Sequence, residues 1–122
     1  MSAVLDASAL LAFLQGEDGA DVVEARLDEG ARCGAANWSE VAQKVRSAGR
    51  AWDLARGLLT GYQLQIEPVV VDDAEWAARR WRRGEGLSLA DRLCLALAER
   101  LDAQAWTADA AWGTEGRVRQ IR

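Results

Sequence analysis

Short apolar runs alternate with longer stretches of helical periodicity along the chain. Residues 8–14 form an apolar stretch that is too long and too rich in leucine for a strand, so they predict a helix. Apolar side chains also recur at helical spacing over residues 17–27, 37–48, 51–60 and 87–101. The shorter runs between these helices predict strands at residues 3–5, 32–36, 64–71, 103–107 and 117–121.

The order of these elements indicates the fold class. Strands that alternate with helices predict an α/β domain of three layers, α/β/α, with a central parallel sheet of about five strands flanked by helices. Pro68 places the third strand at an edge of the sheet, because proline cannot donate a ladder hydrogen bond. We expect a further helix to begin at Asp72 or Asp73, and the apolar coat of residues 87–101 predicts a central, buried helix.

Length and composition add the expected size and location. The chain has 122 residues, of which 50% are hydrophobic, and this is enough to bury the core of one domain spanning residues 1–122. No stretch approaches about eighteen apolar residues, and the N-terminus lacks the basic start of a signal peptide. We therefore expect a cytoplasmic protein that binds no membrane. Cys33 and Cys94 lie in apolar surroundings and predict buried thiols.

The ionisable residues exclude several kinds of enzyme. The chain has no histidine, which excludes Ser-His-Asp triads, histidine-based ribonucleases and zinc sites with histidine ligands. Lys44 is the only lysine, and it is not part of a phosphate-binding loop motif. With 19 acidic and 15 basic residues the net charge is −4, which argues against a simple nucleic-acid-binding protein. Carboxylates, hydroxyls and arginines are left for any chemistry.

Four carboxylates lie where predicted strands end or where the following helices begin. Asp6 follows the first strand, and Glu40 lies in the first turn of the helix after the second strand. Asp91 lies in the first turn of the buried helix, and Asp109 follows the fourth strand. Because the carboxyl ends of parallel strands meet at one edge of a sheet, we expect all four side chains to face one crevice.

Each of these carboxylates also has an ordinary structural role available to it. The first and last can be helix N-caps, and the other two can complete capping boxes begun by Asn37 and Ser88. Taken together, however, four converging carboxylates would repel one another and raise one another's pKa unless a cation lies between them. Oxygen ligands without a histidine or thiolate cluster suit Mg²⁺ or Mn²⁺.

Four sequence blocks contain these carboxylates: LDASALL at residues 5–11, NWSEV at 37–41, GLSLADR at 86–92 and WTADAAW at 106–112. Their order and spacing resemble those of the PIN domain, and in particular of the VapC toxins of bacterial toxin–antitoxin pairs, over essentially the whole chain. The resemblance implies a sheet of five parallel strands. The chain departs from the commonest family pattern at Ala90, where glycine is frequent, and at Trp106, where a small aliphatic residue is usual.

The resemblance also implies an activity and its residues. By it, the chain is the toxin of a type II toxin–antitoxin pair, an Mg²⁺- or Mn²⁺-dependent endoribonuclease that hydrolyses tRNA or ribosomal RNA with metal-activated water. The matching positions are Asp6, Glu40, Asp91 and Asp109 for the catalytic and metal-binding carboxylates, and Ser8 and Thr107 for supporting hydroxyls.

The resemblance implies partners as well. A cognate VapB-type antitoxin would hold the enzyme inactive, and the chain is expected to form a homodimer. Trp52 lies on the helix pair where such toxins commonly receive the antitoxin and dimerise. A catalytically idle PIN-like scaffold that only binds a partner stays open as the alternative.

Two other kinds of protein place acids at strand ends, and both fit the chain poorly. A receiver domain needs a lysine after a late strand, whereas Lys44 lies in an early helix. A phosphatase of the haloacid dehalogenase type needs an Asp-x-Asp sequence after the first strand, where this chain has Asp6-Ala7-Ser8.

An arginine-rich stretch gives a candidate RNA contact. Arg79, Arg80 and Arg83 are predicted to hold the RNA backbone, with Trp76 beside them as a stacking surface. The alternative is a solvated helix face with a core tryptophan, since Trp81 falls on the same side of the predicted helix as several alanines.

Overall fold

Every strand of the central sheet runs parallel to its neighbours. The computed structural model describes residues 2–122, and its sheet has the strand order β3-β2-β1-β4-β5. The first strand therefore lies in the middle, and the third lies at an edge, as Pro68 predicted. The five strands are β1 (Ala3–Leu5), β2 (Arg32–Gly34), β3 (Gln65–Glu67), β4 (Gln104–Thr107) and β5 (Val118–Gln120).

Six helices cover the sheet, and one short 3₁₀ turn (Ala110–Trp112) joins β4 to β5. No helix within residues 2–122 has both the length and the apolar character needed to cross a membrane. The helices are α1 (Ala7–Gln15), α2 (Ala20–Asp28), α3 (Ala35–Ser47), α4 (Trp52–Gly61), α5 (Val71–Arg80) and α6 (Leu89–Arg100).

The core lies on both faces of the sheet. Successive side chains of a strand point to opposite faces, and in β1 Leu5 packs in one apolar cluster with Leu10 and Val23 of α1 and α2. Val4 belongs to a second cluster with Leu97 of α6. The predicted three-layer architecture with five parallel strands is therefore confirmed.

Three predicted boundaries are wrong. Helix α2 begins at Ala20 rather than at residue 17, and in the other two cases a helix begins earlier than expected. The strand predicted at residues 32–36 ends at Gly34, because Ala35 and Ala36 are good helix formers and already belong to α3. Asn37 is then inside the first turn, so it is not an N-cap, and Glu40 falls in the second turn rather than in a capping box.

The third difference concerns the start of α5. Val71 begins this helix instead of ending a strand, and Val70 is its N-cap. Asp72 and Asp73 therefore occupy the first turn, where negative charge favours the helix dipole. Asp73 also accepts a hydrogen bond from the backbone N–H of Val70 at 3.3 Å.

Helices α5 and α6 run antiparallel, and polar contacts at both ends fix their alignment. Near the start of α6, Arg92 donates to the carbonyl of Ala77 at 2.7 Å. Near its end, Arg100 donates from Nε and Nη2 to the two carboxylate oxygens of the buried Asp73, at 2.9 and 3.1 Å. The C-terminal end of α5 therefore lies beside the N-terminal end of α6.

Asp73→Ala should lower the free energy of unfolding by about 1 to 3 kcal/mol, because it removes a buried carboxylate that accepts hydrogen bonds from the Arg100 guanidinium and the Val70 N–H. Asp72→Ala is the matched control, since Asp72 is an exposed carboxylate in the same turn and should change stability by less than about 0.5 kcal/mol. Urea denaturation measures both. Equal losses in the two variants would contradict the prediction.

Candidate active site

Asp6 is the buried carboxylate at the centre of the candidate site. It follows β1 directly and is the N-cap of α1, where its Oδ1 accepts the backbone N–H of Ala9 at 2.8 Å. The residue is only 4% exposed. β1 and β4 are neighbours at the point where the strand order reverses, which is where open α/β sheets place their ligand sites.

Two hydroxyl groups clamp the Asp6 carboxylate. Ser8 Oγ donates to Oδ1 and Oδ2 at 2.8 and 2.9 Å, and Thr107 Oγ1 donates to Oδ2 at 2.6 Å. Each hydroxyl oxygen also accepts a backbone N–H, from Ala108 at 2.9 Å for Ser8 and from Asp109 at 3.0 Å for Thr107. Because these oxygens already accept, their protons are directed at Asp6. The clamp joins the end of β1 to the end of β4.

The pKa of Asp6 reflects a balance between burial and these hydrogen bonds. The net pKa is about 6 rather than 3.8, with burial as the largest cause of the rise and the negative charge of Asp91 as a smaller one. The hydrogen bonds from Thr107, Ala9 and Ser8 act in the opposite direction, since they stabilise the ionised form. Asp6 is therefore mostly ionised at neutral pH, and a cation bound beside it would lower its pKa further.

Asn37 links the second and third candidate carboxylates. Its Nδ2 donates to Glu40 Oε1 at 3.1 Å and to the carbonyl of Ala90 at 3.4 Å, immediately before Asp91. Asp91 itself completes a capping box with Ser88, as predicted, accepting the Ser88 N–H at 2.9 Å. Asn37 is thus a candidate site residue that sequence reasoning assigned only to a helix cap. Its position in the NWSEV block, three residues before Glu40, is the signal that could have identified it.

Asp109 is joined to the site through its backbone. Its N–H donates to Thr107, while its carboxylate is the predicted N-cap, here of the 3₁₀ turn, and accepts the N–H of Ala111 at 2.9 Å. Gln120 of β5 donates to the Asp109 carbonyl at 3.0 Å and holds this turn in place. The Asp109 side chain is exposed and points toward its own turn.

Three of the four carboxylates act on the same buried thiol. The pKa of Cys94 is raised first by burial and then by the charges of Asp6, Cys33, Asp91 and Glu40. Asp6 follows β1 directly, and Asn37 joins Glu40 to the carbonyl that precedes Asp91. Within residues 2–122, no three acidic or thiol side chains are already spaced as a metal site. Carboxylates repel one another, which disfavours close spacing. Each of the four instead accepts a hydrogen bond from a different group.

The donor atoms fit a hard divalent cation. They are oxygens of carboxylates, hydroxyls and an amide, which Mg²⁺ and Mn²⁺ prefer. Cys33 and Cys94 are both buried, as predicted, and burial raises the pKa of each thiol, so neither offers a thiolate. Asn37 Oδ1 is buried and has no partner among the described residues, so a ligand water at this position would satisfy it.

The residues of the arginine-rich stretch have environments that differ from those predicted. Arg80 forms a bidentate ion pair with Glu85 at 2.7 and 2.9 Å, which leaves it less available to RNA. Arg83 lies beyond the end of α5, in the connection to α6. The two tryptophans exchange their expected roles, because Trp76 packs against the core and Trp81 is 53% exposed.

Comparison with known proteins identifies a matching family model and named relatives. The PIN domain family model matches residues 3–113. Ribonuclease VapC42 of Mycobacterium tuberculosis is 33% identical over 108 residues, which cover 79% of this chain and 82% of the relative. A VapC ribonuclease of Mycobacterium bovis has the same identity and coverage.

Solved structures confirm the fold at lower sequence identity. A toxin–antitoxin complex from Klebsiella pneumoniae has a TM-score of 0.78 with 18% identity and covers 98% of each chain. VapC20 of Mycobacterium tuberculosis, described as a toxin that cleaves the sarcin–ricin loop, has a TM-score of 0.73 with 17% identity, and the match covers 95% of this chain and 96% of VapC20.

Asp6→Asn should flatten the pH dependence of stability of the metal-free protein, and wild type should lose up to about 3 kcal/mol relative to the variant between pH 4 and 8, because the raised pKa of Asp6 makes its ionised form costly to bury. The folded state binds this proton more tightly than the unfolded state, so the contribution of Asp6 to stability is full below pH 3.8 and is lost as pH rises through about 6. Asparagine retains the N-cap acceptor.

Denaturation of wild type and variant in EDTA, between pH 4 and 8, measures this difference as a function of pH. Asp21→Asn is the control, since Asp21 is an exposed carboxylate of α2. A stability difference between wild type and Asp6→Asn that does not change with pH would show that Asp6 has an ordinary pKa.

Proposed function

The chain belongs to the PIN domain family, and we propose that it is a metal-dependent endoribonuclease that acts as the toxin of a toxin–antitoxin pair. The proposed substrate is tRNA or ribosomal RNA. The relatives named as VapC ribonucleases support the nuclease activity, and the neighbouring toxin–antitoxin complex supports an antitoxin partner.

The observation that best supports this proposal is the environment of Asp6. A carboxylate this deeply buried is costly unless a cation neutralises it. Within residues 2–122, no arginine or lysine forms an ion pair with Asp6. The chain instead places two hydroxyl donors on it and a second carboxylate, Asp91, near it. This arrangement favours binding of a divalent cation more than it favours stability of the cation-free fold.

Asp6 and Asp91 are the proposed principal ligands of Mg²⁺ or Mn²⁺, with Glu40 and Asp109 completing the set. A cation bound there supplies a Lewis acid that lowers the pKa of water and stabilises charge on the scissile phosphate.

The chain's own residues prepare these ligands. Ser8 and Thr107 keep Asp6 ionised and fix its orientation, and Asn37 holds Glu40 beside the start of α6. Since the chain has no histidine to activate a 2′-hydroxyl, water is the proposed nucleophile. The expected products therefore have a 5′-phosphate and a 3′-hydroxyl.

An apolar groove on the other side of the molecule supports association with protein partners. Helices α1, α3 and α4 line this groove, whose volume is about 310 Å³. Leu54 and Leu58 of α4 stand at its rim, and Leu54 is 77% exposed. Trp52 packs edge-on against Trp38 with ring centroids 5.0 Å apart, so it supports this helix pair from within. We propose that the Leu54 face forms a homodimer and lies next to the antitoxin-binding surface.

Asp91→Asn should reduce cleavage of tRNA or ribosomal RNA by about a hundredfold or more, because it removes a cation ligand and leaves the fold intact. Asparagine still offers an oxygen to the Ser88 N–H, so the start of α6 is preserved. The measurement is gel analysis of RNA incubated with Mg²⁺, with Mn²⁺ and with EDTA, which should stop the wild-type reaction.

Asp72→Asn is the matched control, since it removes an exposed carboxylate outside the site and should cleave like wild type. Cleavage that persists in EDTA would contradict metal dependence. If the wild-type protein neither cleaves RNA nor binds Mn²⁺ in calorimetry, the idle scaffold becomes the better description of the chain.

Leu54→Asp should convert the dimer to a monomer, because it places a charge in the centre of the apolar surface that dimerisation would bury. Sedimentation velocity measures the change, and Asp53→Asn, an exposed position on the same helix, is the control that should remain dimeric. Cleavage of RNA by Leu54→Asp should persist. A wild-type protein that sediments as a monomer would disprove the dimer.

A further inference from the structure

Trp81 is an exposed aromatic residue that neither the fold nor the proposed chemistry uses. It follows the last residue of α5 and is 53% exposed, although an exposed tryptophan adds nothing to the core. The Arg83 guanidinium carbon lies 5.7 Å from the centroid of its ring, within the range of a cation–π contact. Trp81 and Arg83 therefore form a flat, positively charged surface.

The surroundings of this surface have the charge of a nucleic-acid contact. Within residues 2–122, no carboxylate forms an ion pair with Arg79, Arg82 or Arg83, whereas Arg80 is occupied by Glu85. The whole chain has a net charge of −4. Arg82 and Arg83, which follow the exposed indole directly in the chain, therefore give this acidic protein a local positive charge that is complementary to RNA.

Contacts between the two neighbouring helices place the end of α5, which Trp81 directly follows, beside the start of α6. The bond from Arg92 to the Ala77 carbonyl sets the end of α5 next to the first turns of α6, the helix on which Asp91 lies. Arg82 and Glu85, in the connection after Trp81, line a cavity of about 340 Å³ together with residues 112–115, the segment that closely follows Asp109.

We propose that Trp81 is a stacking surface for an unpaired base of the RNA substrate, with Arg82 and Arg83 holding the adjacent phosphates. This proposal rests on the proposed nuclease function and deepens it, because it assigns the recognition of an unpaired base to this exposed residue. A base within a duplex is already stacked and cannot lie on the indole. Trp81 is thus a positioning residue and a determinant of specificity.

The test measures binding without cleavage. Fluorescence anisotropy with the Asp91→Asn protein would use three labelled probes: a single strand of about ten nucleotides, a duplex of the same length and an abasic strand with the same backbone. Adding Trp81→Ala should weaken binding of the single strand about tenfold and leave the other two unchanged. Trp81→Phe should keep most of the affinity, and Val71→Ala, exposed at the start of α5, should have no effect.

Arg83→Gln separates phosphate contacts from stacking. It should weaken the normal and the abasic strand equally and reduce the salt dependence of both. The proposal is overturned if Trp81→Ala weakens the abasic strand as much as the normal one, or if the single strand does not bind at all. A change in sedimentation without a change in RNA binding would assign Trp81 to a protein interface and would also overturn it.

Cleavage by the otherwise wild-type protein distinguishes failure of the stacking proposal from failure of the nuclease proposal. Trp81→Ala should raise KM for a substrate with an unpaired base and change kcat little. Normal cleavage with unchanged KM would reject the stacking surface and keep the nuclease. Binding of single strands that depends on Trp81, without cleavage of any RNA, would reject the nuclease and keep the stacking surface.

Discussion

The hydrogen bond from Thr107 to Asp6 joins the ends of the two central strands, and the candidate site depends on it. It holds a carboxylate in a position where burial alone raises its pKa. Ser8 adds a second hydroxyl, and backbone N–H groups at Ala108 and Asp109 fix the direction of both. The carboxylate is thus kept in the interior of the protein, where burial of its charge is costly.

The remaining candidate ligands surround this buried charge with less constraint. Glu40 and Asp91 approach from α3 and α6, and Asn37 links these two helices with an amide whose oxygen has no partner among the described residues. Under the proposed function, a cation would replace the repulsion between these carboxylates with attraction. The proposed RNA contact rests on Trp81, which is exposed and lies within cation–π range of Arg83.

Much of the local structure was predictable because it depends on neighbours in the sequence. Asp6 as an N-cap and the Ser88–Asp91 capping box need only a few consecutive residues, and both predictions are confirmed. The wrong boundaries of α3 and α5 have a similar cause, since Asn37 and Asp73 are good caps by type and other residues began the helices first. The roles of the four carboxylates as metal ligands stay predictions.

The sequence by itself determined the alternation of strands and helices, hence a parallel sheet with acidic residues at its carboxyl edge, because side-chain periodicity and strand order along the chain are local properties. Only the tertiary structure decided that Trp76 packs against the core while Trp81 is exposed. It also decided that Arg80 pairs with Glu85 and that Thr107 donates a hydrogen bond to Asp6. Those outcomes depend on contacts between elements that lie far apart in the sequence or on where a helix ends, and residue patterns do not specify either.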